Sequence, residues 1–210
     1  MPIVFTCISP HPPIILPSVG SLQDRAQVKN TISALEKLGK KLKEAKADSI
    51  IISAPHPDWG FNVPLFFLAP NFNGKIETFL VGLESPKFYF DEGKKLYQSA
   101  ICNLKSKIAL IASGDMSHCL KKEGHYGFHP DGPKFDNAFI GALKKKNIET
   151  ILKLDDSYPE AGECGLRSFC FLLGILEANS ENLGKNWQSK ILSYECPFGV
   201  GYLAANFKIN

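Results

Sequence analysis

Short β-branched apolar runs alternate along the chain with longer segments whose apolar residues recur every three or four positions. The runs Ile3-Val4-Phe5-Thr6-Cys7-Ile8 and Ile50-Ile51-Ile52-Ser53-Ala54 each lead to a proline and read as buried strands entering loops. Between them Leu22, Val28, Ile32, Leu35, Leu38, Leu42 and Ala45 make an apolar stripe with lysines opposite, which predicts one long amphipathic helix. Strand, helix, strand predicts a βαβ unit whose two strands are parallel and neighbouring.

Further along, Asp58 to Asn73 is rich in aromatics and proline and reads as a loop that walls a pocket or caps the core, with Trp59 among its rings. Ile76–Gly82 predicts a third strand, Asp91–Leu104 a helix, and Lys107–Ser113 a fourth strand, apolar throughout its centre. Gly124–Pro133 is a loop, Pro133–Lys146 an amphipathic helix and Ile148–Leu154 a short one. Glu163–Ala178 predicts a helix buried over most of its surface, and Ser189–Tyr194 with Gly199–Phe207 an antiparallel pair of strands. The order of elements predicts a single α/β domain over residues 1–210, with a central mixed, largely parallel sheet flanked by helices.

Composition narrows the function classes. A chain of 210 residues with 44% hydrophobic and 21% charged residues is an ordinary globule large enough for a substantial core. A formal charge of +3, without a basic stripe interleaved with aromatics, argues against nucleic acid. Six scattered cysteines with no C-x-x-C pair predict free thiols in a reducing compartment. No signal-peptide pattern and no run near the ~18 apolar residues of a membrane span is present. The expectation is a cytoplasmic protein, and a homo-oligomer is a reasonable default.

Chemistry gathers where strands end. Pro10-His11-Pro12 and Pro55-His56-Pro57 follow the first two strands. Proline fixes its own φ and pushes the preceding residue to extended geometry, so each histidine sits on a stiff, non-helical backbone. All five histidines lie in loops after strands, which would gather them on the carboxyl edge where open α/β sheets bind ligands. Two imidazoles suit a metal but need a third donor, and Ala161-Gly162-Glu163-Cys164-Gly165 offers two. Glu163 is favoured, because a carboxylate leading into so apolar a helix needs a partner; Cys164 is the alternative. Two histidines and a carboxylate suit Fe(II) oxygen chemistry, whereas a thiolate favours a softer metal such as zinc or copper. In Gly114-Asp115-Met116-Ser117-His118 the candidate acid/base groups are His118 and Asp115. His125 and His129 are candidate substrate contacts. Motifs for nucleotide binding, serine hydrolysis and zincin proteolysis (G-x-x-x-x-G-K-[ST], G-x-S-x-G, H-E-x-x-H) are absent.

The ordered set Ser9-Pro10-His11-Pro12-Pro13-Ile14, Ser53-Ala54-Pro55-His56, Ser113 to His118, Gly132 to Asp136, Glu163 to Ser168 and Tyr194 to Tyr202 resembles the class III extradiol ring-cleavage dioxygenases of the B-subunit (LigB-like) type. It is most similar to members grouped with the AmmeMemoRadiSam system and more distantly to the Memo proteins. The resemblance implies an α/β sheet with its site at one end, His11 and His56 as Fe(II) ligands, and His118 as the acid/base near the metal. It implies a catechol-type or related diol and O2 as substrates. The catalytic dioxygenases have a glutamate as third ligand, which Glu163 matches; Memo-like relatives have a cysteine before glycine, which Cys164-Gly165 matches. A metal- or peptide-binding protein without ring cleavage, and a metal-dependent hydrolase, are the alternatives.

Overall fold

The computed structural model describes residues 2–209. Six strands, β1 (Ile3–Ser9), β2 (Ser49–Ala54), β3 (Lys75–Leu80), β4 (Ile108–Ser113), β5 (Trp187–Glu195) and β6 (Tyr202–Ile209), form one sheet in the order β3-β2-β4-β1-β6-β5. The first four are mutually parallel; β6 runs antiparallel to β1 and to β5. The two histidine-bearing strands are parallel, as their pattern predicts, but they are not neighbours. β4 lies between them, with Leu110 opposite both Thr6 and Ile51. Every residue of β4 is buried, which its continuous apolar run requires of a central strand covered on both faces.

Helices cover both faces. On one side α2 (Lys29–Ala45) and α3 (Trp59–Leu68) pack on Cys7, Ile50, Ile52 and Ile111; on the other α4 (Pro86–Leu96), α5 (Asp131–Lys145) and α8 (Leu166–Leu183) pack on Ile8, Leu110, Ala112 and Leu203. Three short helices, α1 (Leu22–Gln27), α6 (Ile148–Ile151) and α7 (Leu154–Ser157), complete the set.

Several boundaries differ from the sequence expectation for identifiable reasons. The stripe from Leu22 to Ala45 is broken at Val28, whose φ of −118° ends α1; Ser21 and Asp24 close a capping box on that short helix. Residues 59–68 are helical, not looped: Pro64 lies beyond the first turn, where it removes the backbone bond to Gly60 and crowds that carbonyl, yet the helix forms with Phe61, Val63 and Leu68 buried against the sheet. Helix α4 starts at Pro86, where Ser85 accepts the N–H of Phe88, and ends by Leu96 in a π turn over Tyr97–Ile101. Glu163 and Cys164 precede α8 instead of opening it, and the last strand starts at Tyr202.

The open edge of β5 is tied to α2 by Glu195. Its Oε2 accepts Thr31 N–H and Oγ1–H, each at 2.7 Å, and its Oε1 accepts Asn30 Nδ2–H at 2.7 Å. An anion on the unpaired N–H groups of a helix start is favoured by both hydrogen bonding and the helix dipole. Glu195→Ala is expected to destabilise the fold by about 1–3 kcal/mol, read as a lower urea midpoint without a changed slope.

Candidate metal centre

The carboxyl ends of β1, β2 and β4 bring four loops together. His11 follows β1 and is held at two points: its N–H donates to Asp115 Oδ1 at 3.0 Å, and its Nδ1 meets Ser113 Oγ at 2.9 Å. With Nδ1 engaged, Nε2 faces the cleft, 3.6 Å from Cys164 Sγ and 3.9 Å from Asp115 Oδ2. The hydrogen bond on one ring nitrogen fixes which nitrogen is left to coordinate. His56 lies beyond β2, its ring edge-on to that of His11 with centroids 5.3 Å apart. Ligand atoms of His11, His56 and Cys164 all fall within 4.8 Å of one another, as do those of Asp115, His118 and Cys164.

Cys164 owes its place to backbone contact. Asp115 N–H donates to its Sγ at 3.3 Å, and Gly165 N–H donates to Asp115 carbonyl at 3.0 Å, so the two loops run against each other. Its neighbour Glu163 turns elsewhere: Oε2 accepts Leu166 N–H at 2.6 Å, at the start of α8, and Oε1 meets Arg167 Nη1 at 3.2 Å. Glu163 belongs to neither cluster of potential ligands.

Burial sets the electrostatics. It pushes His11 down to about 3, with the neighbouring His56 adding to the effect, so the imidazole is neutral as a ligand must be. It also lowers His118, against the opposing pull of Asp115. Burial raises Asp115 to about 6 and Glu163 to about 7, and lifts the Cys164 thiol well above its ordinary value, with Asp115 adding to the rise. Two imidazoles beside a thiol and a carboxyl, with no lysine or arginine ion-paired to Asp115 among the described residues, fit a metal ion with nitrogen and sulfur ligands. The buried Nε2 of His118, which has no hydrogen-bond partner, marks the same space.

The other sequence candidates stand further out. His125 lies edge-on to Tyr126, whose ring covers His118 with centroids 4.9 Å apart. His129 Nδ1 accepts Asp131 N–H at 3.2 Å and so serves the start of α5. Trp59, the first residue of α3, is half-exposed three residues after His56.

The loop carrying His118 is pinned by residues that the sequence reading placed within the family pattern without giving them a role. Asp136 Oδ1 accepts Ser117 N–H at 2.9 Å, Tyr194 Oη–H donates to Asp136 Oδ2, and Met116 and Ser117 exchange backbone bonds with Gly201, both at 2.8 Å. Burial raises Asp136 to about 6. The folded chain thus holds this proton more tightly than the unfolded chain, and the stability it brings declines as pH climbs from about 4 to about 6. Relative to Asp136→Asn, which does not titrate, the wild-type protein is expected to lose about 2–3 kcal/mol between those limits. Urea unfolding of both proteins across that range measures it.

No helix of the described residues is long and apolar enough to cross a membrane. In solved structures, the crystal structure of uncharacterized protein JW3007 from Escherichia coli K12 superposes with a TM-score of 0.61 at 14% identity, covering 97% of this chain and 99% of that one, a likeness of fold. Protein CA_C1420 of Clostridium acetobutylicum is 28% identical over 92% of this chain and 55% of its own length, so the chain spans about half of that relative. Residues 56–205 match the family described as the catalytic LigB subunit of aromatic ring-opening dioxygenase. The match begins at His56, so His11 joins the site through the sheet that carries β1 beside β4. With most of its length matched and its donors collected at the carboxyl edge of the sheet, the chain belongs to the LigB family.

Proposed function

We propose that the chain is a metal-dependent oxidoreductase of the extradiol-dioxygenase type, acting on a catechol-like diol with O2, and that His11, His56 and Cys164 hold the metal. The observation that carries this reading is the convergence of two imidazoles and a thiol within 4.8 Å, next to a buried histidine nitrogen with no partner. Fe(II) bound there would supply the redox step that dioxygen requires. The protein's own part is orientation and proton movement. Ser113 fixes the His11 ring so that Nε2 faces the cleft. His118, kept neutral by burial, takes a hydroxyl proton from the diol at Nε2 and returns it as the ring opens. Tyr126 packs against the His118 ring, with centroids 4.9 Å apart, and so helps to hold its orientation.

Loading the purified protein anaerobically with Fe(II) and adding a panel of catechols should produce oxygen uptake in an electrode. Iron bound at one per chain with no uptake for any diol would overturn ring cleavage. A second reading, a metal-binding protein without ring cleavage, is favoured by one observation: a thiol, not a carboxylate, faces the two histidines. Under that outcome it would stand.

A further inference from the structure

Four potential donors surround Cys164, yet the five do not gather into a single coordination sphere. They fall into two triads, His11-His56-Cys164 and Asp115-His118-Cys164, which have the cysteine sulfur in common and approach elsewhere where His11 Nε2 stands 3.9 Å from Asp115 Oδ2. At metal–ligand bonds of about 2.0–2.3 Å, two donors on one ion stand no more than roughly 4.6 Å apart. One ion can therefore satisfy either triad, but a set that splits in this way suits two positions.

We propose that the site binds two cations bridged by Cys164 Sγ, one on His11 and His56 and the other on Asp115 and His118, and that the second cation is inhibitory. Three observations carry the second position. His118 Nε2 is buried and unpartnered, a state that buried nitrogens avoid unless something absent from the protein satisfies them. Asp115 spends Oδ1 on His11 N–H, while Oδ2, 3.9 Å from His11 Nε2, takes no hydrogen bond among the described residues. A buried carboxyl and a half-buried thiol lie side by side, and among the described residues no lysine or arginine is ion-paired to the carboxyl, so their anionic forms call for cations from outside. A sulfur, nitrogen and oxygen donor set matches zinc and its borderline-soft neighbours. The inhibitory role rests on the proposed function: a cation on His118 occupies the nitrogen needed as the base and leaves the first position intact.

The test is stoichiometry, which does not depend on any diol. Apo-protein titrated with Zn(II), freed of excess by gel filtration and analysed for metal should hold two zinc ions per chain. His118→Ala should hold one, and so should His56→Ala, each variant melting as the wild type does by circular dichroism. Wild type saturating at one zinc, or His118→Ala retaining two, overturns the proposal. Zn(II) added to Fe(II)-loaded protein should abolish oxygen uptake while the iron stays bound; undiminished uptake with zinc bound overturns the inhibitory role. Two zinc ions in a protein that oxidises no diol would sink the ring-cleavage reading and its inhibition, leaving the two-cation site standing.

Discussion

Cys164→Ala is expected to weaken binding of the first Zn(II) equivalent by about 10²–10³-fold, whereas Glu163→Ala changes it by less than about tenfold. Structural zinc sites with four ligands are worth roughly 10–16 kcal/mol, so one ligand represents about 3–4 kcal/mol, and each 1.4 kcal/mol is tenfold. The sulfur of Cys164 stands 3.6 Å from His11 Nε2, while both oxygens of Glu163 are engaged at the start of α8. Losing Glu163 should instead appear as a stability deficit of about 1–3 kcal/mol, because Leu166 N–H and Arg167 lose a buried acceptor. The thiol adds a second signature. Burial holds it protonated, so a metal must displace that proton, and affinity should rise about tenfold per pH unit below the thiol's pKa. Competition against a chelator over several pH values reads both effects. Cys164→Ala should flatten the slope; iron or zinc lost on removing Glu163 but not Cys164 would reverse the assignment.

The adjacency of Glu163 and Cys164 shows where reading the sequence stops. Both are metal-ligating types, and the tertiary contact from Asp115 N–H helps to decide which faces the histidines. Backbone direction decides it too: Gly162 has φ +62°, a turn that residue types alone do not reveal. What was legible had local causes. The strands ending at His11, His56 and His118 were readable because each is a continuous apolar run stopped by proline or glycine, and the paired Pro-His-Pro loops announced two stiff imidazoles. The neighbour relation of β1 and β2 was misread because insertion of β4 between them depends on a connection more than fifty residues later. The helix at 59–68 was hidden by its composition, apolar nearly all round with one interior proline, which periodicity cannot separate from a loop. Pairings such as Asp136 with Tyr194 join segments far apart in sequence and leave no local signal.

Gly165→Ala and Gly114→Ala are each expected to cost at least about 3 kcal/mol, the upper end for overpacking, and to remove tight metal binding. A Cβ on Gly114 would lie 2.2 Å from Gly165 Cα, and a Cβ on Gly165 would lie 2.4 Å from Phe169 Cζ and 2.9 Å from Asp115 carbonyl oxygen. Backbone and the fully buried Phe169 cannot yield as a flexible side chain would, so the loops must part. Parting breaks Gly165 N–H to Asp115 carbonyl and Asp115 N–H to Cys164 Sγ, the two bonds that hold the sulfur beside His11. Gly141, within α5, is the matched control: nothing lies within 4 Å of its added Cβ, so Gly141→Ala should stabilise by about 0.5–1 kcal/mol and leave metal binding unchanged. Urea unfolding of the apo-proteins and zinc competition on the same samples separate the two effects. A Gly114→Ala protein that unfolds as the wild type does and keeps its zinc would mean that close contact between the β4 loop and the start of α8 does not build the site.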